Sequence, residues 1–123
     1  IQYIKKGVKK DFVIIDAGMN DFMRPALYDA IHKIIPIKKS KSKLKGTIEF
    51  VGPICESTCK FGSYKNYQKM SENDFVAITN VVAYGSSLSS NYNSRPLIAE
   101  LLVNKNKIKY IRKKQDLLKL INS

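Results

Sequence analysis

The sequence predicts a mainly β domain, a sandwich or Greek-key barrel with short helices. Three observations lead there. Runs rich in β-branched and aromatic residues recur at short spacing, at residues 12–15, 47–51, 75–82, 97–103 and 107–112. Turn chemistry separates them: Gly18 with Asn20, the pair Gly52-Pro53, Gly85 with a serine-rich run, and residues 104–106. Helical spacing is confined to brief stretches, the pattern expected of a sandwich or barrel. At 123 residues the chain is one domain without internal repeats, long enough to bury a core of its own.

Residues 1–4 are apolar and short, and Lys5-Lys6-Gly7 breaks them, so the chain reads as if cut from something longer. Residues 12–15 predict a buried strand ending at Asp16, followed by a turn through residues 17–21. Arg24-Pro25 opens a short helix, since proline suits the first helical position. Tyr28 stands four residues after Arg24, so one helical turn puts both on one face. Guanidinium and phenol there suit a single carboxylate; an exposed arginine beside a core tyrosine fits the same spacing. Residues 30–37 predict a strand, with His32 as a packed or half-exposed residue that carries no chemistry. Residues 38–45 read as a lysine-rich exposed loop, and residues 44–51 as a strand.

That strand delivers the chain to Val-Gly-Pro-Ile-Cys-Glu-Ser-Thr-Cys, residues 51–59. Gly52-Pro53 stops regular pairing because proline lacks a donor and glycine tolerates unusual dihedrals. Cys55 and Glu56 follow side by side; on an extended strand they face opposite ways, so one site can use both only if the backbone turns. Residues 60–73 read as polar and irregular, with Tyr64, Tyr67 and Met70 packing down on the sheet edge. Residues 75–82 give the strongest strand signal, running on into Gly85 and a serine-rich turn at residues 86–94. Residues 97–103 and 107–112 predict a hairpin. Asp116 caps a last helix whose Leu117, Leu118, Leu120 and Ile121 form one apolar face.

Composition narrows the function classes. Hydrophobic residues make up 44% of the chain and no run approaches the length of a membrane span, so no membrane partner is expected. No signal peptide is read at the start. The two cysteines, without export signals, predict reduced thiols and a cytoplasmic setting. Cys55, Cys59 and the lone His32 supply too few ligands for structural zinc, so no metal is expected. The net charge of +12 raises nucleic acid as a partner. The excess is nearly all lysine, however, scattered along the chain, with Arg24, Arg95 and Arg112 the only arginines. No nucleic acid is expected.

Three stretches in order carry a more specific signal: Asp16-Ala17-Gly18-Met19-Asn20-Asp21-Phe22-Met23-Arg24-Pro25-Ala26-Leu27-Tyr28, then Cys55-Glu56-Ser57, then Ala83-Tyr84-Gly85 with Ser89-Ser90-Asn91-Tyr92-Asn93-Ser94-Arg95-Pro96 and Glu100. Together they resemble the C-terminal part of diaminopimelate decarboxylases, enzymes of the alanine racemase-like fold that use pyridoxal 5'-phosphate (PLP). The resemblance covers nearly the whole chain. It implies a C-terminal β domain over residues 1–123, with the PLP barrel and its Schiff-base lysine on another chain. It also implies a homodimer in the intact enzyme, in which one subunit's β domain closes the other's site.

Carried over by position, Arg24 and Tyr28 hold a carboxylate of meso-diaminopimelate, and Glu56 binds the distal ammonium. Tyr84 lies against substrate and the cofactor phosphate, and Cys55 is the catalytic proton donor after CO2 departs. The product is L-lysine, and the chain alone is not competent. Two positions depart from the family pattern: Cys59 stands where an aspartate is usual, and Val82 where a glycine is usual. The first predicts a less firmly held loop, because a thiol accepts hydrogen bonds poorly. The second predicts strain at Tyr84 if the glycine uses positive φ. Other readings are a decaying remnant, a non-catalytic interaction module, or a relative acting on carboxynorspermidine or another basic amino acid.

Overall fold

The structure is a computed structural model that describes residues 1–122; Ser123 and the side chain of Val82 lie outside the described residues. Along the chain run β1 (Tyr3–Lys5), β2 (Asp11–Ile14), α1 (Arg24–Tyr28), β3 (Ile34–Pro36), β4 (Thr47–Val51) and β5 (Lys60–Lys65). Then come β6 (Val76–Ile78), α2 (Val82–Ser87), a 3₁₀ turn at Tyr92–Ser94, β7 (Glu100–Asn104), β8 (Lys107–Arg112) and α3 (Leu117–Ile121). The domain is mainly β with short helices, as its sequence predicts.

Four strands form one sheet in the order β1-β2-β4-β5, and β3-β6 and β7-β8 form two-stranded sheets. β1 and β5 pair antiparallel with their neighbours, but β2 and β4 run parallel, with Ile14 opposite Val51. A parallel pair needs a long crossover, and α1 and β3 lie within it. It also makes both strands end on the same edge. The Ile15 amide extends the pairing by donating to the Val51 carbonyl at 2.9 Å. The loops that leave β2 and β4 therefore start side by side. A register shift at Phe50/Val51 bends β4 just before Gly52.

Val13, Ile48, Phe50 and Ile34 are completely or almost completely buried and centre the core. Phe50, Tyr64 and Tyr67 meet edge to face, with centroids 5.1–5.7 Å apart. Their polar tips fasten β3 across the core. The Tyr64 hydroxyl donates to the His32 carbonyl and accepts from the Ile34 amide, both at 3.0 Å. The Tyr67 hydroxyl donates to the Ile34 carbonyl at 2.7 Å. Burial, then the neighbouring Tyr64, pushes the Tyr67 phenol up to about 12. Met70 is buried too, so all three residues expected to pack on the sheet edge do so. His32 is a packed residue, set edge-on against Phe22 at 4.6 Å.

Four expectations are corrected. The strand read at residues 30–37 is only Ile34–Pro36, and the irregular stretch at residues 60–73 begins with β5. The strand read at residues 75–82 stops at Ile78; Asn80 takes φ 58°, and α2 follows. The serine-rich turn is the end of α2 plus a 3₁₀ turn. α3 forms with its Asp116 cap as expected, and its Leu117, Leu118 and Ile121 are exposed in this chain.

Glu49 of β4 lies on the face opposite Ile48 and Phe50, and it is nearly buried. Lys10 approaches it at 2.6 Å and the Ser63 hydroxyl donates at 3.1 Å. Burial raises its pKa, but the Lys10 and Ser63 hydrogen bonds and the charges of Lys10 and Lys60 together outweigh that, leaving it below its ordinary 4.5. A carboxyl lowered on folding stabilises the fold above its unfolded value and loses that contribution as pH falls through the folded one. Glu49→Gln is therefore predicted to flatten the acid limb of the stability curve below about pH 4.5. Urea unfolding at stepped pH measures this, and an unchanged acid limb contradicts it.

Candidate functional site

The site is built where the loops after β2 and β4 meet. Gly52 is so tightly enclosed that a Cβ there would sit 2.4 Å from the Cys59 sulfur of its own loop, and 2.7 Å from the Ala17 carbonyl oxygen and 3.0 Å from Gly18 Cα of the other. Only glycine permits that approach. The β4 loop is closed at its base by the Gly52 amide donating to the Cys59 carbonyl at 2.9 Å. The backbone turns at its tip: the Glu56 amide donates to the Ile54 carbonyl at 2.8 Å, and the Cys59 amide to the Glu56 carbonyl at 3.0 Å. Cys55 and Glu56 stand exposed on that turn.

The β2 loop is organised by Asp21, whose side chain is 5% exposed. It accepts from the Gly18 amide at 2.8 Å and from the Asn20 side-chain amide at 3.0 Å. Arg95 reaches the same node from far along the chain, donating to the Asp16 carbonyl at 2.6 Å and standing 3.7 Å from the Asp21 carboxylate. The Ser90 amide donates to the Asn20 carbonyl at 2.9 Å. The segment after α2 is thereby fastened to the β2 loop at two points.

The predicted residues fall into two clusters around this node. Arg24 opens α1, and its guanidinium lies over the Tyr84 ring of α2 at 5.6 Å. Tyr28 is one turn along α1 and well exposed. Gly85 keeps the first turn of α2 free of a clash, since a Cβ there would meet Cγ1 of its own N-cap residue Val81 at 2.2 Å. The second cluster is Cys55 with Glu56, and it includes a residue to which the sequence assigned no role. The Tyr92 hydroxyl donates to Glu56 Oε1 at 2.5 Å. The hydrogen bond and charge of Glu56 hold the Tyr92 phenol above its ordinary 10.0. An aromatic residue set among serines and asparagines at residues 89–94 was the available signal.

The two departures from the family pattern take the following places in the structure. Cys59 is buried, and its sulfur accepts the Met19 amide at 3.3 Å, tying the loops together. The thiol is thus one of the contacts between the two loops. Val82 is the first residue of α2, in helical backbone, so this position does not use a glycine conformation.

Placing a methyl group at residue 52 must push the two loops apart, because two of its contacts are backbone. Gly52→Ala is predicted to cost about 1–3 kcal/mol of unfolding free energy, as overpacking does. Denaturant unfolding measures it; wild-type stability would mean the loops do not bear on each other.

Known proteins share this fold. The family model for the pyridoxal-dependent decarboxylase C-terminal sheet domain matches residues 1–82. A Helicobacter pylori diaminopimelate decarboxylase is 46% identical over 117 residues, covering 95% of this chain and 29% of that protein. One from Aquifex aeolicus is 39% identical over 116 residues, covering 94% of this chain and 27% of that protein. The Helicobacter pylori enzyme solved with L-lysine superposes with a TM-score of 0.85 at 44% identity, over 99% of this chain and 29% of that one. The M. jannaschii enzyme, also solved with L-lysine, gives 0.89 at 37% identity, over 98% and 27%. The chain thus spans under a third of the length of these relatives. It belongs to the pyridoxal-dependent decarboxylases, as the C-terminal sheet domain of that family.

Proposed function

We propose that this chain supplies the proton donor and the recognition groups of a diaminopimelate decarboxylase, which converts meso-2,6-diaminopimelate to L-lysine and CO2. Carrying this reading is the exposure of Cys55 and Glu56 together on one loop tip that is pinned at its base to the loop leading to Arg24. The names of the relatives support the substrate.

Arg24 and Tyr28 bind a substrate carboxylate, the guanidinium by its fork and the phenol by its hydroxyl. Glu56 meets the distal ammonium; a substrate lacking that group leaves the carboxylate unpaired, which penalises it strongly. Cys55 gives its proton to the carbon that loses CO2, a contribution of roughly 10²–10⁴-fold for a positioned acid. PLP, when bound, supplies the electron sink for the reaction. The exposed Tyr84 phenol, with Arg24 beside it, fits as a donor to the cofactor phosphate, and the Schiff-base lysine comes from a barrel on another chain. The intact enzyme is a homodimer in which this domain completes the partner's site.

The β7–β8 hairpin supports a missing neighbour. Leu101, Leu102, Val103, Ile108, Tyr110 and Ile111 are each at least 50% exposed, more apolar surface than a domain leaves to water without cause. Both thiols are free, which suits the reducing cytoplasm.

The test mixes the purified chain with a PLP-bearing barrel fragment of a diaminopimelate decarboxylase and follows lysine formation from meso-diaminopimelate. Lysine is expected from the mixture and from neither part alone, and Cys55→Ala is expected to lower turnover about 10²–10⁴-fold without loosening the complex. A complex that forms and stays silent identifies a remnant. Full turnover by Cys55→Ala removes the acid role.

A further inference from the structure

Glu56 sits on an exposed loop tip, where a glutamate side chain ordinarily samples several rotamers. Discrimination by charge needs that carboxylate aimed in one direction. The Tyr92 hydroxyl donates to its Oε1 at 2.5 Å, from a segment 36 residues away in sequence.

That segment is anchored on both sides of Tyr92. Before it, the Ser90 amide donates to the Asn20 carbonyl at 2.9 Å. The Asn91 side-chain amide donates to the Arg95 carbonyl at 2.9 Å and to Gln115 Oε1 at 2.5 Å. After it, Arg95 donates to the Asp16 carbonyl at 2.6 Å. Between the anchors, Asn93 and Ser94 take φ 59° and 56°, a left-handed conformation that a serine adopts only where its surroundings impose it. The phenol is thus carried on a turn whose shape is set by its neighbours, and the same neighbours organise the β2 loop.

The chemistry suits holding rather than competing. An ionised carboxylate offers about four lone-pair directions on two oxygens. Tyr92 uses one, on Oε1, and leaves Oε2 for a cation. A phenol is neutral, so it orients the group without cancelling its charge.

We propose that Tyr92 is a positioning residue, whose hydroxyl holds the Glu56 carboxylate in the orientation that meets the distal ammonium of the substrate. The proposal rests on the assignment of that ammonium to Glu56 given above. It makes Tyr92 a specificity determinant that acts through Glu56 and touches neither the reacting carbon nor the cofactor.

Two readouts test it. On the chain itself, the ultraviolet titration difference between wild type and Tyr92→Phe isolates one phenol, expected to titrate above 10.0, and Glu56→Gln is expected to bring it back down. A phenol indifferent to Glu56→Gln overturns the proposal. In the barrel-complemented assay, Tyr92→Phe is expected to raise KM for meso-diaminopimelate about tenfold to a hundredfold, the range for a hydrogen bond to a charged group, with kcat nearly kept. In the Glu56→Gln background it is expected to add nothing. Additive losses, or a fall in kcat at unchanged KM, overturn the positioning role while Glu56 keeps its own. A Glu56→Gln variant with wild-type KM overturns the underlying assignment and the proposal with it, and the titration then still reads whether the contact exists.

Discussion

Parallel pairing of β2 with β4 is the constraint on which the remainder depends. Antiparallel neighbours would send their following loops to opposite edges of the sheet; parallel ones send them to the same edge. With Ile14 beside Val51, the loop that leads to Arg24 and the loop that carries Cys55 and Glu56 begin next to each other. Everything assembled there follows from that start. Gly52 and Gly18 let the loops touch, and the Cys59 sulfur accepts a backbone donor from the opposite loop.

Asp21 converts adjacency into a fixed arrangement. A buried carboxylate is costly unless its oxygens are occupied, and this one has a backbone amide, a side-chain amide and a guanidinium around it. The guanidinium belongs to Arg95, so the node also recruits the segment that bears Tyr92. A third tie is the Arg24 guanidinium lying over the Tyr84 ring, which joins the start of α1 to α2. Three pieces of chain, distant in sequence, are held by one polar centre with apolar residues around it.

Much of this was legible beforehand, for physical reasons that differ by element. β2, β4 and the β7–β8 hairpin fall in runs rich in aliphatic, β-branched and aromatic residues closed by turn residues, and α1 and α3 carry Pro25 and the Asp116 cap. β5 is hidden in the sequence because Lys60, Ser63 and Lys65 dilute its pattern, although its buried Phe61 and the edge-on Tyr64 do the packing. The end of the 75–82 run departs from its strand pattern because Val81 and Val82 favour strands in isolation, whereas Asn80 at positive φ ends the strand and Gly85 permits the helix that follows. The candidate site residues were nameable from motif spacing and resemblance. Their supports were not: the Arg95–Asp16 and Tyr92–Glu56 contacts join positions 79 and 36 residues apart, and no local pattern encodes such a pairing.

Hydrogen exchange on an Asp21→Asn variant tests most directly whether one buried carboxylate holds both clusters. The account predicts that the amides of Gly18 and Met19, of Gly52 and Cys59 in the neighbouring loop, and of Ser90 lose protection together, while β1 and β5 keep theirs. Faster exchange confined to residues 18–21, with Gly52, Cys59 and Ser90 as protected as before, would contradict it.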